Sequence, residues 1–206
     1  MYVLNNKVTL LGLISIALFA IVIGCSSADP TPVPPTATPS GVQYPTTVTD
    51  MMGRSVEISA KPERIVAISP TAMEMLYEIG GKAVGRDSGS KFSEEVKALP
   101  EVGGAYNPNI ESIVTLRPDL LIIESLTQGH LTQMLGSLKV PILAVKAASH
   151  KDVNEGITLI GRVTDLVDEA KVAVDAIDKR INNSVESSSM DKTVLILISD
   201  ADRNLY

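Results

Sequence analysis

Between residues 60 and 150 the chain alternates short apolar runs with segments whose apolar residues recur every three or four positions. Arg64-Ile65-Val66-Ala67-Ile68, Ala83-Val84-Gly85, Leu120 to Ile123 and Pro141-Ile142-Leu143-Ala144-Val145 are short and bounded by polar or turn residues. They predict four buried strands. Thr71 to Ile79, Ile110 to Leu116 and Leu126 to Leu138 carry the helical spacing. The first is stopped by Gly80-Gly81, the second is capped by Asn109 and ends before Arg117-Pro118, and the third has weak points at Gly129 and Gly136. Continuous apolar strands alternating with helices imply an α/β, Rossmann-like unit whose mostly parallel sheet is covered on both faces. Ligands of such sheets sit outside the strand C-termini. Ahead of this unit, TTVT and SVEI alternate polar and apolar residues around DMMGR, a hairpin turned at Gly53.

The most regular stripe starts at Val153, with apolar residues at 153, 157, 160, 163, 167, 170, 174, 177, 181 and 185. The spacing predicts one long helix over residues 151–188, roughly 50 Å at 1.5 Å per residue, with Asp152 and Glu155 as its N-terminal cap. A coiled-coil dimer helix is the alternative. After Ser187-Ser188-Ser189, Lys192 to Ser199 echoes Glu63 to Ser69: a charged entry, a buried strand, a closing Ser. Residues 189–206 are expected to open a second, similar lobe in a truncated sequence; the alternative is that this strand completes the first sheet.

The N-terminus has a different pattern. After Lys7, residues Val8 to Ile23 run without charge and end in Val22-Ile23-Gly24-Cys25. Sixteen residues suit a signal-peptide core better than a membrane span, which needs roughly 20. An aliphatic residue, a small residue and then Cys resembles the bacterial lipobox, which implies cleavage after residue 24 and lipidation of Cys25. An ordinary signal peptide is the alternative. Residues 25–44 are rich in Pro and Thr and read as an extended tether, leaving 45–150 as the N-terminal lobe.

Composition narrows the function. Of 206 residues, 18 are basic and 24 acidic, and the net charge of −6 argues against nucleic acid as a partner. The lone cysteine excludes thiolate zinc clusters and two-cysteine redox motifs, and two histidines exclude a three-histidine metal site. His130 reads as a surface residue and His150 as a cap neighbour. No cofactor or metal is implied. The chain has no GxSxG, no GxxxxGK[ST] and no GxGxxG after a strand. Asp200 and Asp202 stand without a partner constellation, so a Rossmann-like enzyme is a minor reading.

Five pieces in order (DMMGRSVEI, PERIVAISPTAMEMLYEIG, LPEVGGAYNPNIESIVTLRPDLLI, the VPILAV strand and the long helical stripe) resemble the cobalamin and iron-complex type of ABC-transporter substrate-binding protein. The resemblance implies two α/β lobes joined by a rigid helix, with the ligand between them. It implies an extracytoplasmic, lipid-anchored receptor whose cargo is a ferric siderophore, haem or cobalamin, and whose partners are the permease subunits of an ABC importer. It places Glu74 as a permease-docking carboxylate, although Thr71-x-x-Glu74 is equally a capping box. The ligand face falls on the loops after the strands: Ser69, Pro70 and Thr71; Arg86, Asp87 and Ser88; Gly104, Tyr106 and Asn107; Glu124 and Ser125; Lys146 and Ser149. Tyr106 is the leading ligand contact, the alternative being a cover for the lobe's own core. Arg86 is either a partner for ligand carboxylates or a solvated charge. A lipid-anchored scaffold or adhesion module without a small ligand is the other class of reading.

Overall fold

A computed structural model describes residues 41–186. The expected signal peptide, Cys25 and the strand expected at Lys192 to Ser199 lie outside the described residues.

The chain enters through a hairpin of β1 (Thr46–Thr49) and β2 (Ser55–Ile58), with Gly53 at φ 77° in the turn. β3 (Ile65–Ala67) leads into α1 (Pro70–Glu78). Ser69 caps that helix by accepting the Ala72 N–H, and Pro70 fills a first-turn position that has no use for an N–H. Gly80 at φ 77° ends it. β4 (Gly85–Arg86), the short α2 (Glu94–Lys97), a small hairpin of β5 (Gly103–Gly104) and β6 (Asn107–Pro108), and α3 (Ile110–Thr115) follow. β7 (Leu120–Glu124) runs into α4 (Ser125–Gln128), a 3-10 turn at Gly129–Leu131 and α5 (Thr132–Gly136). β8 (Ile142–Val145) completes the sheet. The four strands lie in the order β4-β3-β7-β8, every pair parallel.

Both faces of this sheet are covered, and the pleat sorts the residues. Ile65, Ala67, Leu120, Ile122, Leu143 and Val145 face α1 and the C-terminal helices in one core. Val66, Ile68, Leu121, Ile123, Ile142 and Ala144 face Ile113 of α3 and Leu135 of α5 in a second. This is the doubly covered α/β unit that the apolar runs require.

The long stripe forms two helices, which corrects the single rod expected over residues 151–188. α6 (His150–Thr164) ends at Asp165, whose φ of 61° is left-handed, and α7 (Val167–Glu186) turns back along it. Asn154 of α6 donates to Asp178 of α7 at 2.7 Å, so the helices are antiparallel. Gly161 permits the tight turn: a Cβ there would lie 2.5 Å from the Ala170 Cβ. Apolar spacing carries through the bend because Ile157, Ile160, Val163, Ala170 and Ala173 all enter the same core. The helix is capped by Ser149, which accepts the Asp152 N–H at 3.1 Å, rather than by Asp152.

The lobe is therefore larger than residues 45–150. It includes α6, and its N-terminal side reaches back into the expected tether. Val42 donates its N–H to Asp165 at 2.7 Å, and the Tyr44 hydroxyl donates to the Val163 carbonyl at 2.9 Å. Burial, with the Asp165 charge adding to it, raises the Tyr44 pKa.

Candidate ligand-binding cleft

The C-terminal ends of β3, β4 and β7 open on a cleft of 510 Å³. Three loops and the β5–β6 hairpin make its walls, and each is shaped by a local hydrogen-bond device. After β3, the capping geometry of Ser69 presents Pro70 and Thr71 at the first turn of α1. After β4, the buried Asp87 carboxylate accepts the Gly89 N–H at 2.7 Å and the Ser90 hydroxyl, folding the loop around itself. After β7, Glu124 caps α4: its carboxylate accepts the N–H groups of Leu126 and Thr127 and the Thr127 hydroxyl. The fourth wall is the tip of the hairpin, Ala105 and Tyr106, reached through Gly103 at φ 91°. A Cβ on Gly103 would sit 2.8 Å from the Asn109 backbone nitrogen, so the position demands glycine. Ser88 donates its N–H to the Gly103 carbonyl at 2.8 Å, joining the β4 loop to the hairpin.

Nine of the residues expected at the ligand face meet here: Ser69, Pro70, Thr71, Asp87, Ser88, Gly104, Tyr106, Asn107 and Glu124. Tyr106 is 71% exposed, which sets aside its reading as a cover for the core. Four residues, Arg86, Ser125, Lys146 and Ser149, do not join them. Arg86 is buried and turned away from the cleft. Its guanidinium donates to the Asp87 carbonyl at 2.9 Å and lies 3.2 Å from Glu101, pinning the chain after α2. Ser125 stands one residue past Glu124 at the start of α4; helical spacing aligns Thr127 with Glu124 and leaves Ser125 off that face. Lys146 leaves the edge strand β8 and pairs with Asp152 at 3.3 Å, with Ser149 beside them. It lines a separate groove of 680 Å³ that runs along α6 to Asp178. Burial raises the Asp152 pKa, but hydrogen bonds from Ser149 and Lys146 outweigh this, so the carboxyl titrates below its usual range.

Sequence reasoning missed Gly89, Ala105 and Thr127 in the lining. It also missed Gln128, which is wholly buried behind the cleft. Glu74 is exposed on α1, and the cap of that helix is Ser69, so the capping-box reading of Thr71 and Glu74 does not hold. His130 is exposed, as expected, while His150 pairs with Asp178 at 2.6 Å. Among the described residues no three His, Cys, Asp or Glu side chains cluster as a metal site, and no helix is long and apolar enough to cross a membrane.

Residues 65–206 match the family model described as "Periplasmic binding protein", more than half of the chain. The chain belongs to that family. Its members are binding proteins, which sets the Rossmann-like enzyme aside. Among curated relatives, the chain is 27% identical over 174 residues to the uncharacterized ABC transporter substrate-binding lipoprotein YvrC of Bacillus subtilis, covering 79% of this chain and 55% of that protein. It is 29% identical over 144 residues to the probable siderophore-binding lipoprotein YfiY of the same organism, covering 66% and 44%. The chain thus spans about half the length of these relatives. Among solved structures, the periplasmic vitamin B12 binding protein BtuF of Vibrio cholerae superposes with a TM-score of 0.62 at 20% identity, over 70% of this chain and 58% of that one. That likeness carries the fold.

Proposed function

We propose that the chain carries the ligand-binding N-terminal lobe of a lipid-anchored extracytoplasmic receptor. The receptor takes up a cobalamin-like ligand or a ferric chelate and delivers it to the permease of an ABC importer. The observation that carries this reading is the cleft: 510 Å³ at the C-terminal rim of a parallel sheet, with the exposed phenol of Tyr106 at its edge. Relatives named for siderophore and vitamin B12 binding support the ligand class. Val22-Ile23-Gly24-Cys25 supports the anchor, and the exposed Glu74 supports a docking contact made through charge.

The lining also bears on the cargo. It contains two carboxylates, Asp87 and Glu124, and neither Lys nor Arg, because Arg86 and Lys146 are both engaged elsewhere. A ligand should therefore turn an uncharged or cationic side toward this lobe. The amide-bearing rim of a corrinoid meets that condition; the propionates of haem do not. The test is titration of the full chain with cyanocobalamin, haemin and a ferric hydroxamate, alongside Tyr106→Ala. Saturable binding that weakens in the variant supports the reading, with cyanocobalamin the preferred probe. Absence of saturable binding for all three overturns it.

A further inference from the structure

Gln128 is the last residue of α4 and is 0% exposed. A buried primary amide is costly unless its donors and acceptor are used. Here they are used on three backbones. The amide nitrogen donates to the Ile68 carbonyl at 2.8 Å and to the Ala105 carbonyl at 2.6 Å, and the amide oxygen accepts the Glu124 N–H at 2.9 Å. Ile68 immediately precedes Ser69, Ala105 precedes Tyr106, and Glu124 itself lines the cleft. One side chain thus ties together the end of β3, the end of β7 and the tip of the β5–β6 hairpin.

The tip needs this tie. The hairpin is two residues long on each side, too short to hold its own position. Its base is fixed by Ser88 to Gly103, Val102 to Arg86 and Asn109 to Val102. Beyond the base, the bond from Gln128 is the side-chain hydrogen bond that reaches the tip among the described residues. The interruption of the helix after Gln128, where the chain passes into the 3-10 turn at Gly129, marks the place where the amide turns inward.

We propose that Gln128 is a positioning residue that sets the height of Tyr106 over the cleft, and so sets the grip on ligand. Its link to ligand rests on the reading of the cleft given above; its link to the hairpin does not.

Backbone hydrogen exchange of the full chain tests the hairpin directly, without ligand. Gln128→Leu keeps the volume and removes all three bonds. Exchange at Gly104 and Asn107, which pair across the hairpin next to its tip, should rise by about tenfold or more, and the Glu124 N–H loses its acceptor, while Leu120 to Ile123 of β7 and the amides of β8 keep their protection. Gln128→Glu provides the chemical control. As a carboxylate it opposes the Ile68 and Ala105 carbonyls; once protonated it donates again to one of them. Protection of the tip, relative to the unaltered chain at the same pH, should be lost at pH 8 and return on acidification. A packing role alone gives no such return. Unchanged exchange at the tip in a folded Gln128→Leu chain, or loss in Gln128→Glu that ignores pH, overturns the proposal. Should Gln128→Leu fail to fold, the pH response of Gln128→Glu decides. Cyanocobalamin titration of the same variants then reads the grip. A chain that binds none of the probes sinks the receptor reading and leaves the exchange result standing.

Discussion

Arg54 and Asp50 form a clasp over the edge of the sheet. The guanidinium lies 2.6 Å from the Asp50 carboxylate and also donates to the Ile142 carbonyl of β8 at 3.1 Å. The same carboxylate accepts the N–H groups of Met52 and Arg54 and is wholly buried. Asp50→Ala leaves a guanidinium and three N–H groups, those of Met52, Arg54 and Ala144, short of their acceptor. The expected loss is about 3 kcal/mol of stability, read as a lower urea midpoint with unchanged slope. A shift within the error of the midpoint would show that water replaces the carboxylate at no cost.

Asp165 gives the fold a defined response to acid. The Val42 N–H, and after it Lys61, hold its carboxyl below the usual range. Because the folded pKa is below the unfolded one, the stabilisation is complete above the unfolded value of about 4 and disappears as pH falls through the folded value. Asp165→Asn suits the left-handed backbone position and removes the titration. Thermal melting between pH 6 and pH 2.5 should decline less steeply in the variant. Parallel profiles for the two chains count against the assignment.

Gly103→Ala tests the hairpin from its base. At φ 91° an added Cβ meets the Asn109 nitrogen at 2.8 Å and the Asn107 carbonyl at 2.9 Å, both backbone atoms that cannot swing aside. The expected cost is about 2 kcal/mol, accompanied by weaker ligand binding as the Tyr106 tip moves. Calorimetry of the free protein separates the two effects.

Tyr106→Ala and Glu74→Arg should divide capture from delivery. Tyr106 is 71% exposed, so its removal leaves the melting temperature in place and weakens ligand binding by about tenfold. Glu74→Arg reverses an exposed charge on α1. Ligand binding should persist while uptake by cells expressing the importer is abolished. Normal uptake in that variant rules out docking through Glu74.

The sheet was legible because its strands are buried on both faces: Ile65 to Ile68, Leu120 to Ile123 and Ile142 to Val145 carry no polar interruption. The bend at Asp165 was not, because neither Gly nor Pro stands at the turn and the apolar phase continues through it into α7. The nearby sign was the small pair Gly161 and Ala170, whose close approach is a tertiary fact. Within the cleft, chain position located the loops, while the direction of each side chain escaped. Arg86 reads as a surface cation, yet its partners Lys97 and Glu101 lie 11 and 15 residues further along and draw it inward. Gln128 carried no signal at all, since its three partners are backbone groups that only the folded sheet brings within reach.

The contact of Asp165 with Lys61 and Val42 has a mechanical meaning. Lys61 lies ahead of β3, at the rim where the strands begin, whereas the cleft opens where they end. The chain therefore comes into the domain at Gly41 from behind. Tension applied through that point loads the Asp165 clip and the starts of the strands, and leaves the loops around Tyr106 slack. Force entering at residue 41 and a molecule entering beside Tyr106 therefore act on different residues of the domain.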